Sequence, residues 1–145
     1  MDAPLERAPA APPAPVSGDE VRAFLARFEE LAAREDFDLL ENLIDERAHF
    51  RFNDGDFVGR PAIRAAFERT WRRDRSVTRV SLRITDVVVL TTDARTATAT
   101  YDWIWEGEQG GRGFRVTGRG TRVVERRDGR LRIVHEHLSP APRPA

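Results

Sequence analysis

The residues of this 145-residue chain whose types and spacing suit chemistry stand close together near its C-terminus: Arg122, then His135, Glu136 and His137 beyond an Asp128-Gly129 pair. His135 and His137 are two apart on a β-rich run, so both imidazoles face the same way. Neutral imidazole is both a ligand and a near-neutral acid or base, so the pair suits a metal or a proton relay. A catalytic metal needs a third ligand, for which His49, Asp102 and Glu106 are the plausible donors. No spacing ties those residues to the pair, so no metal is expected. Asp102 sits among Tyr101, Trp103 and Trp105, an apolar surround that would raise a carboxyl's proton affinity toward a useful range. Alternation, however, sends Tyr101, Trp103 and Trp105 to one strand face and Asp102 to the other. Arg122 is the leading binding candidate. Beside an apolar pocket a guanidinium needs a counter-charge or a ligand, because a lone buried charge costs several kcal/mol. Its plain alternatives are a pairing with Asp102 or Glu136, or reach to solvent.

Composition removes whole classes of chemistry. The 24 basic residues are all arginine, balanced by 24 acidic ones, and there is neither lysine nor cysteine. Schiff bases, lysine bases, thiolate nucleophiles, disulfides and thiolate metal sites are therefore excluded. No phosphate-cradling glycine loop or nucleophile elbow occurs, so no cofactor is expected. Zero formal charge, with arginines spread between acids, argues against nucleic acid. The apolar runs fall far short of the ~20 residues that span a bilayer. With no signal-peptide pattern at Met1-Asp2-Ala3-Pro4, a cytoplasmic protein with no membrane partner is expected.

The elements that must position these residues follow from periodicity. Residues 1–16 are Ala/Pro-rich and read as a disordered arm; a single domain is expected over 17–139, with a short tail over 140–145. Ser17 and Glu20 have capping-box spacing ahead of a long amphipathic helix with Val21, Phe24, Leu25, Phe28 and Leu31 on one stripe. Asp36 or Asp38 caps an expected second, shorter helix carrying Phe37, Leu40, Leu43 and Ile44. His49–Phe52 alternates as a strand, Asn53–Asp56 turns the chain, and Pro61 opens a third helix with Ile63, Phe67 and Trp71 on one face. After Arg75 the pattern becomes alternating: long strands over 80–90, 97–106, 112–126 and 130–138 form an antiparallel meander. The fold class is α+β, with three N-terminal helices packed on a curved antiparallel sheet.

The phase between the last two strands decides which side chains share a pocket. Asp128-Gly129 can form a two-residue primed turn, which puts Arg122 on one face with His135 and His137. It can also form a turn with a glycine bulge, which puts Arg122 with Val134, Glu136 and Leu138. A slip of one residue exchanges the two sets.

The run Thr121-Arg122-Val123, Arg126-Arg127-Asp128-Gly129, Ile133-Val134-His135 and His137-Leu138-Ser139 resembles the closing hairpin of nuclear transport factor two-like domains. It is most similar to the SnoaL-like group and to the association (hub) domain of calcium/calmodulin-dependent protein kinase. Phe57–Phe67 resembles that superfamily's entry to its third helix, and the resemblance extends over residues 19–139. It implies a cone-shaped α+β barrel that holds a ligand between concave sheet and helices. In the hub domain the arginine matching Arg122 holds a carboxylate, but a second pocket arginine is replaced here by Leu138 and a third has no counterpart, so carboxylate binding does not carry over. The resemblance also implies an inward Asp or His as general base, with Asp102, His135 and His137 as candidates, and Arg122, Glu136, Tyr101 and Trp103 as ligand-binding residues. The function expected is binding of a small apolar molecule, with metal-free isomerase, cyclase or dehydratase chemistry left open. A non-catalytic association module with a vestigial pocket is the alternative. A homodimer is expected, because the uncovered sheet face, taken to be rich in Val and Trp, needs cover. Arg122 and Glu136 are expected to be only partly buried, so that Arg122→Met would change stability by no more than roughly 2 kcal/mol.

Overall fold

The computed structural model describes residues 14–72 and 76–144, the side chain of Arg79 excepted. Residues 1–13 of the expected arm lie outside that range, but its end belongs to the domain. Val16 is buried and its N–H donates to the Asp93 carbonyl at 3.0 Å, because its side chain packs into the core ahead of the first helix. Helix α1 spans Gly18–Ala32, and the Ser17 side chain accepts from the Glu20 N–H as the capping spacing requires. Its stripe of Val21, Phe24, Leu25, Phe28, Leu31 and Ala32 is buried.

The expected second helix does not form. Phe37–Leu39 and Glu41–Leu43 are two single 3₁₀ turns, the first capped by the Asp36 side chain, and Ile44 already begins strand β1, Ile44–Phe52. Phe37 and Leu40 still reach the core, which shows why the apolar spacing looked helical: it satisfies burial without sustaining i→i−4 bonds. Strand β2, Gly55–Val58, closes a hairpin on β1, and helix α2 follows over Arg60–Arg72. Four long strands complete the chain: β3, Val77–Thr92; β4, Thr96–Gln109; β5, Arg112–Arg127; and β6, Arg130–Pro140.

The described strands form one sheet in the order β2-β1-β6-β5-β4-β3. The sheet is mixed rather than purely antiparallel, because β1 runs parallel to β6. This is possible since the whole remaining chain serves as the crossover between them. Alternation on β4 buries Ala97, Ala99, Tyr101 and Trp103 toward α1, and on β5 buries Gly118, Gly120, Arg122 and Val124. The tryptophans therefore lie on the helix side. The opposite face carries Thr98, Thr100, Thr117 and Thr121 and none of the Trp expected there, but it does carry Val, with Val123 on β5 and an exposed Val88 and Leu90 on β3.

Three polar ties fix α1 over the concave face. The Arg126 guanidinium on β5 donates to both carboxylate oxygens of Glu20, at 2.7 and 3.1 Å. Arg22 donates to the Val87 carbonyl at 2.9 Å, and the Glu29 carboxylate accepts from the Ile84 N–H at 3.1 Å. Hydrogen bonding to Arg126 holds the Glu20 carboxyl below its ordinary 4.5, outweighing the opposing effect of burial. A carboxyl lowered in the folded state stabilises above the unfolded value and loses that contribution as pH falls through the lowered folded value. Glu20→Gln should therefore reduce stability at pH 7 by about 1 kcal/mol or less, given the exposure of Glu20. Denaturant titrations of both proteins should show the difference vanishing well below pH 4.5.

Candidate functional site

The concave face and the helices enclose a cavity of about 320 Å³, within the range of small-molecule sites. Its walls are mostly aromatic and aliphatic: Phe28 and Ala32 from α1, Phe50 and Phe52 from β1, Phe67 and Trp71 from α2, and Leu82, Ile84, Trp103 and Trp105 from the sheet. All three tryptophans of the chain line it. Phe67 sits at the centre of an aromatic cluster, with ring centroids 5.4–6.4 Å from Phe28, Phe37, Phe50, Phe52 and Trp71. Such tilted and edge-on contacts set the wall shape as well as burying area.

At the cavity floor lies an ion pair. Arg122 on β5 and Glu136 on β6 are direct cross-strand partners, and each side chain is only 3% exposed. The Arg122 Nε donates to Glu136 Oε2 at 2.5 Å, and Nη2 donates to Oε1 at 3.2 Å, a bidentate arrangement. Nη2 also lies 3.4 Å from the Tyr101 hydroxyl, and the guanidinium carbon sits 4.3 Å from the Phe28 ring centroid and 5.2 Å from that of Tyr101. One donor is left over: Nη1 is buried without a hydrogen-bond partner among the described residues. The Tyr101 hydroxyl, used as an acceptor, keeps its own proton to donate. Burial pushes the Glu136 carboxyl well above its usual range and pulls the Arg122 guanidinium down to about 9, so the cation persists at neutral pH.

The turn is the primed one, yet Arg122 shares its face with Glu136, as expected of the glycine-bulge turn, because a separate bulge within β6 shifts the register. Asp128 (φ 50) and Gly129 (φ 75) form a primed two-residue turn, pairing Arg127 with Arg130. That turn alone would set Arg122 opposite His135. Val134, however, is an extra residue between the Val124↔Ile133 and Val123↔His135 pairs, and this bulge moves Arg122 onto Glu136.

Gly118 and Gly120 do not hollow out the cavity. They seat the aromatic floor. A Cβ on Gly118 would lie 2.1 Å from Cζ2 of Trp103, and one on Gly120 would lie 2.3 Å from Cζ of Tyr101. The two rings lie flat across the glycines facing them on β5, and Trp103 Nε1 donates to the Arg119 carbonyl at 3.2 Å.

Arg122, Glu136, Tyr101 and Trp103 thus come together in one lining. The other three candidates do not join them. Asp102 is exposed on the far face of β4, as its alternation against Tyr101 demands. His135 and His137 flank Glu136 and so point away from it; His135 meets His49 on β1, with ring centroids 5.4 Å apart, and His137 pairs with Arg51. Desolvation lowers the proton affinity of His135, opposed in part by a hydrogen bond to the His49 backbone. Among the described residues no group of three or more His, Asp or Glu side chains is placed to hold a metal. Sequence reasoning missed Glu35, a carboxylate on the turn after α1 that lines the cavity mouth. Its only signal was its position just past the last apolar residue of the α1 stripe.

The model of the SnoaL-like domain family matches residues 21–144. The chain belongs to this family. No curated protein sequence matches it. This SnoaL-like chain is similar in fold to a nuclear transport factor 2-like superfamily protein from Salmonella enterica, with 19% identity, a TM-score of 0.76, and coverage of 88% of this chain and 92% of that one. It is also similar to Aln2 from a Streptomyces species, with 20% identity, a TM-score of 0.74, and coverage of 86% and 93%. The CamKII hub homology domain of Chlamydomonas reinhardtii aligns with 18% identity, a TM-score of 0.73, and coverage of 88% and 100%. The nuclear transport factor 2-like cone is therefore the fold of this chain, with a mixed sheet and two α-helices among the described residues.

The near-complete burial of Arg122 and Glu136 revises the modest stability effect expected from sequence. Removing one partner leaves the other charge uncompensated, so Arg122→Met and Glu136→Leu should each cost about 3–5 kcal/mol. The double variant should lose much less than the sum. Urea denaturation of the four proteins checks this, and additive losses would show that the two side chains act independently.

Proposed function

We propose that this domain binds a small, largely apolar molecule whose hydrogen-bond acceptor sits against Arg122 and Tyr101 at the cavity floor. The carrying observation is an aromatic cavity lined at its base by Arg122 and Tyr101, with the Tyr101 hydroxyl keeping a proton to donate and Arg122 Nη1 buried without a partner among the described residues. An apolar cavity with few convergent polar groups is the usual form of a small-molecule site. Where turnover occurs, its chemistry is metal-free and centred on Glu136. A carboxyl pushed upward by burial is suited to exchanging a proton with a bound carbonyl compound, while Arg122 stabilises charge developing on the acceptor oxygen. This supports a reading of the site as one for isomerase, cyclase or dehydratase chemistry. Asp102, His135 and His137 have no part in this reading, because they face the other side of the sheet.

Because Trp71, Trp103 and Trp105 all line the cavity, ligand entry should change the intrinsic fluorescence. We expect 1-tetralone, an aryl ketone, to shift tryptophan emission saturably and to bind at least several-fold tighter than tetralin, which lacks the acceptor. In Arg122→Met that preference should disappear, provided the variant is shown to be folded by circular dichroism. Equal affinity for ketone and hydrocarbon in the unmodified protein contradicts the placement of the acceptor.

An association role is favoured by a separate observation. Among the described residues no element covers the sheet face away from the helices, and β3 exposes Val88 and Leu90, 50% and 56% accessible. We propose that this face joins two copies into a homodimer, which is compatible with an open cavity on the opposite side. Light scattering at micromolar concentration should give twice the chain mass, and Val88→Glu with Leu90→Glu should give the monomer. A dimer that shows no fluorescence response to any probe would favour association as the sole function.

A further inference from the structure

Glu35 occupies the cavity mouth in an unusual backbone state. Its φ of 52° lies in the left-handed region, which holds its side chain in a defined direction at the end of the turn after α1. It lines the cavity, and its carboxylate has no hydrogen-bond or ion-pair partner among the described residues. Burial alone raises its proton affinity. The neighbouring carboxylate at the mouth, Asp54, is differently placed, since it already faces Arg69 at 3.9 Å.

The floor and the mouth are joined by the cavity-facing stripe of α1 and the turn after it. Phe28 stacks on Arg122 at the floor, and Ala32 and then Glu35 follow along the same lining. Phe28 and Ala32 are one helical turn apart, about 6 Å along α1, and Glu35 lies beyond the helix end in the turn that follows. Across the cavity Tyr101, Trp103 and Trp105 climb β4 on one face in the same direction, about 7 Å per alternate residue. The space between is apolar on both sides.

We propose that the cavity selects a two-ended ligand: a flat, apolar body with a hydrogen-bond acceptor at the Arg122 end and an amine or other cationic donor at the Glu35 end. This rests on the binding reading above and narrows it to a substrate class. The floor supplies donors and the mouth supplies an unshared acceptor, so a ligand with the reverse polarity leaves both ends unpaired. Glu35 acts as a specificity residue, outside the acid/base chemistry assigned to Glu136.

The test compares 6-(aminomethyl)-1-tetralone with 6-methyl-1-tetralone by tryptophan fluorescence titration at pH 7 and low salt. In the unmodified protein the ammonium probe should bind about 3- to 10-fold tighter than the methyl probe, the modest gain expected at a partly exposed carboxylate. Glu35→Gln should bring the ratio close to one while leaving the methyl probe's Kd unchanged, and Asp54→Asn should leave the ratio as it was. A ratio near one in the unmodified protein, or a ratio that survives Glu35→Gln or falls with Asp54→Asn, overturns the role of Glu35 but not the binding site. Failure of both probes to bind overturns the binding reading and this inference with it.

Discussion

A bidentate ion pair with both side chains 3% exposed is the constraint around which the rest of this cone is arranged. Taking a guanidinium and a carboxylate out of water costs several kcal/mol for each, and their mutual attraction offsets this only when geometry is good and remaining donors are satisfied. The fold supplies the geometry through adjacent strands and supplies further contacts through Phe28 and Tyr101. It stops short of complete satisfaction at Nη1. A purely structural ion pair would be better served by apolar replacements of equal volume, so an incompletely satisfied one under an open cavity is the arrangement expected of a site.

Several local features that look unrelated serve this floor. The bulge at Val134 turns a register that would present histidines into one that presents Glu136. The glycines at 118 and 120 let the Trp103 and Tyr101 rings lie against the sheet, where side chains on β5 would have displaced them. The alanines at 97 and 99 allow close approach of the helix side, and α1 is fixed there by Arg22, Glu29 and the Glu20–Arg126 pair. Each is a choice of small residue or extra residue on a strand, and together they convert a flat ladder into a walled cavity.

Much of this was legible in the amino-acid order because period and turn chemistry are local. The capping spacing of Ser17, the stripe of α1, Pro61 in the first turn of α2 and the alternation of β3 to β6 all follow from neighbours a few residues apart. Opposite facing of Tyr101 and Asp102 was legible for the same reason. The parallel pairing of β1 with β6 was not, since it joins segments from opposite ends of the domain. Nor was the bulge at Val134, where nothing in Ile133-Val134-His135 distinguishes a paired residue from an extra one. The 3₁₀ turns over 37–43 escaped because apolar spacing reports burial, while hydrogen-bond pattern is decided by tertiary packing. The full burial of Arg122 likewise depends on Phe28, ninety-odd positions earlier in the chain.

In the binding proposal Arg122 is a buried, Glu136-bound cation forming the responsive floor of the cavity. Heteronuclear NMR of the Arg122 side chain tests it most directly, with Arg122→Met used to assign its resonance. The account predicts an Nε–H that exchanges slowly with water, persists at neutral pH, and shifts when a ketone probe is added. A fast-exchanging Nε–H indistinguishable from those of the surface arginines, or one indifferent to a probe that demonstrably binds, would contradict it.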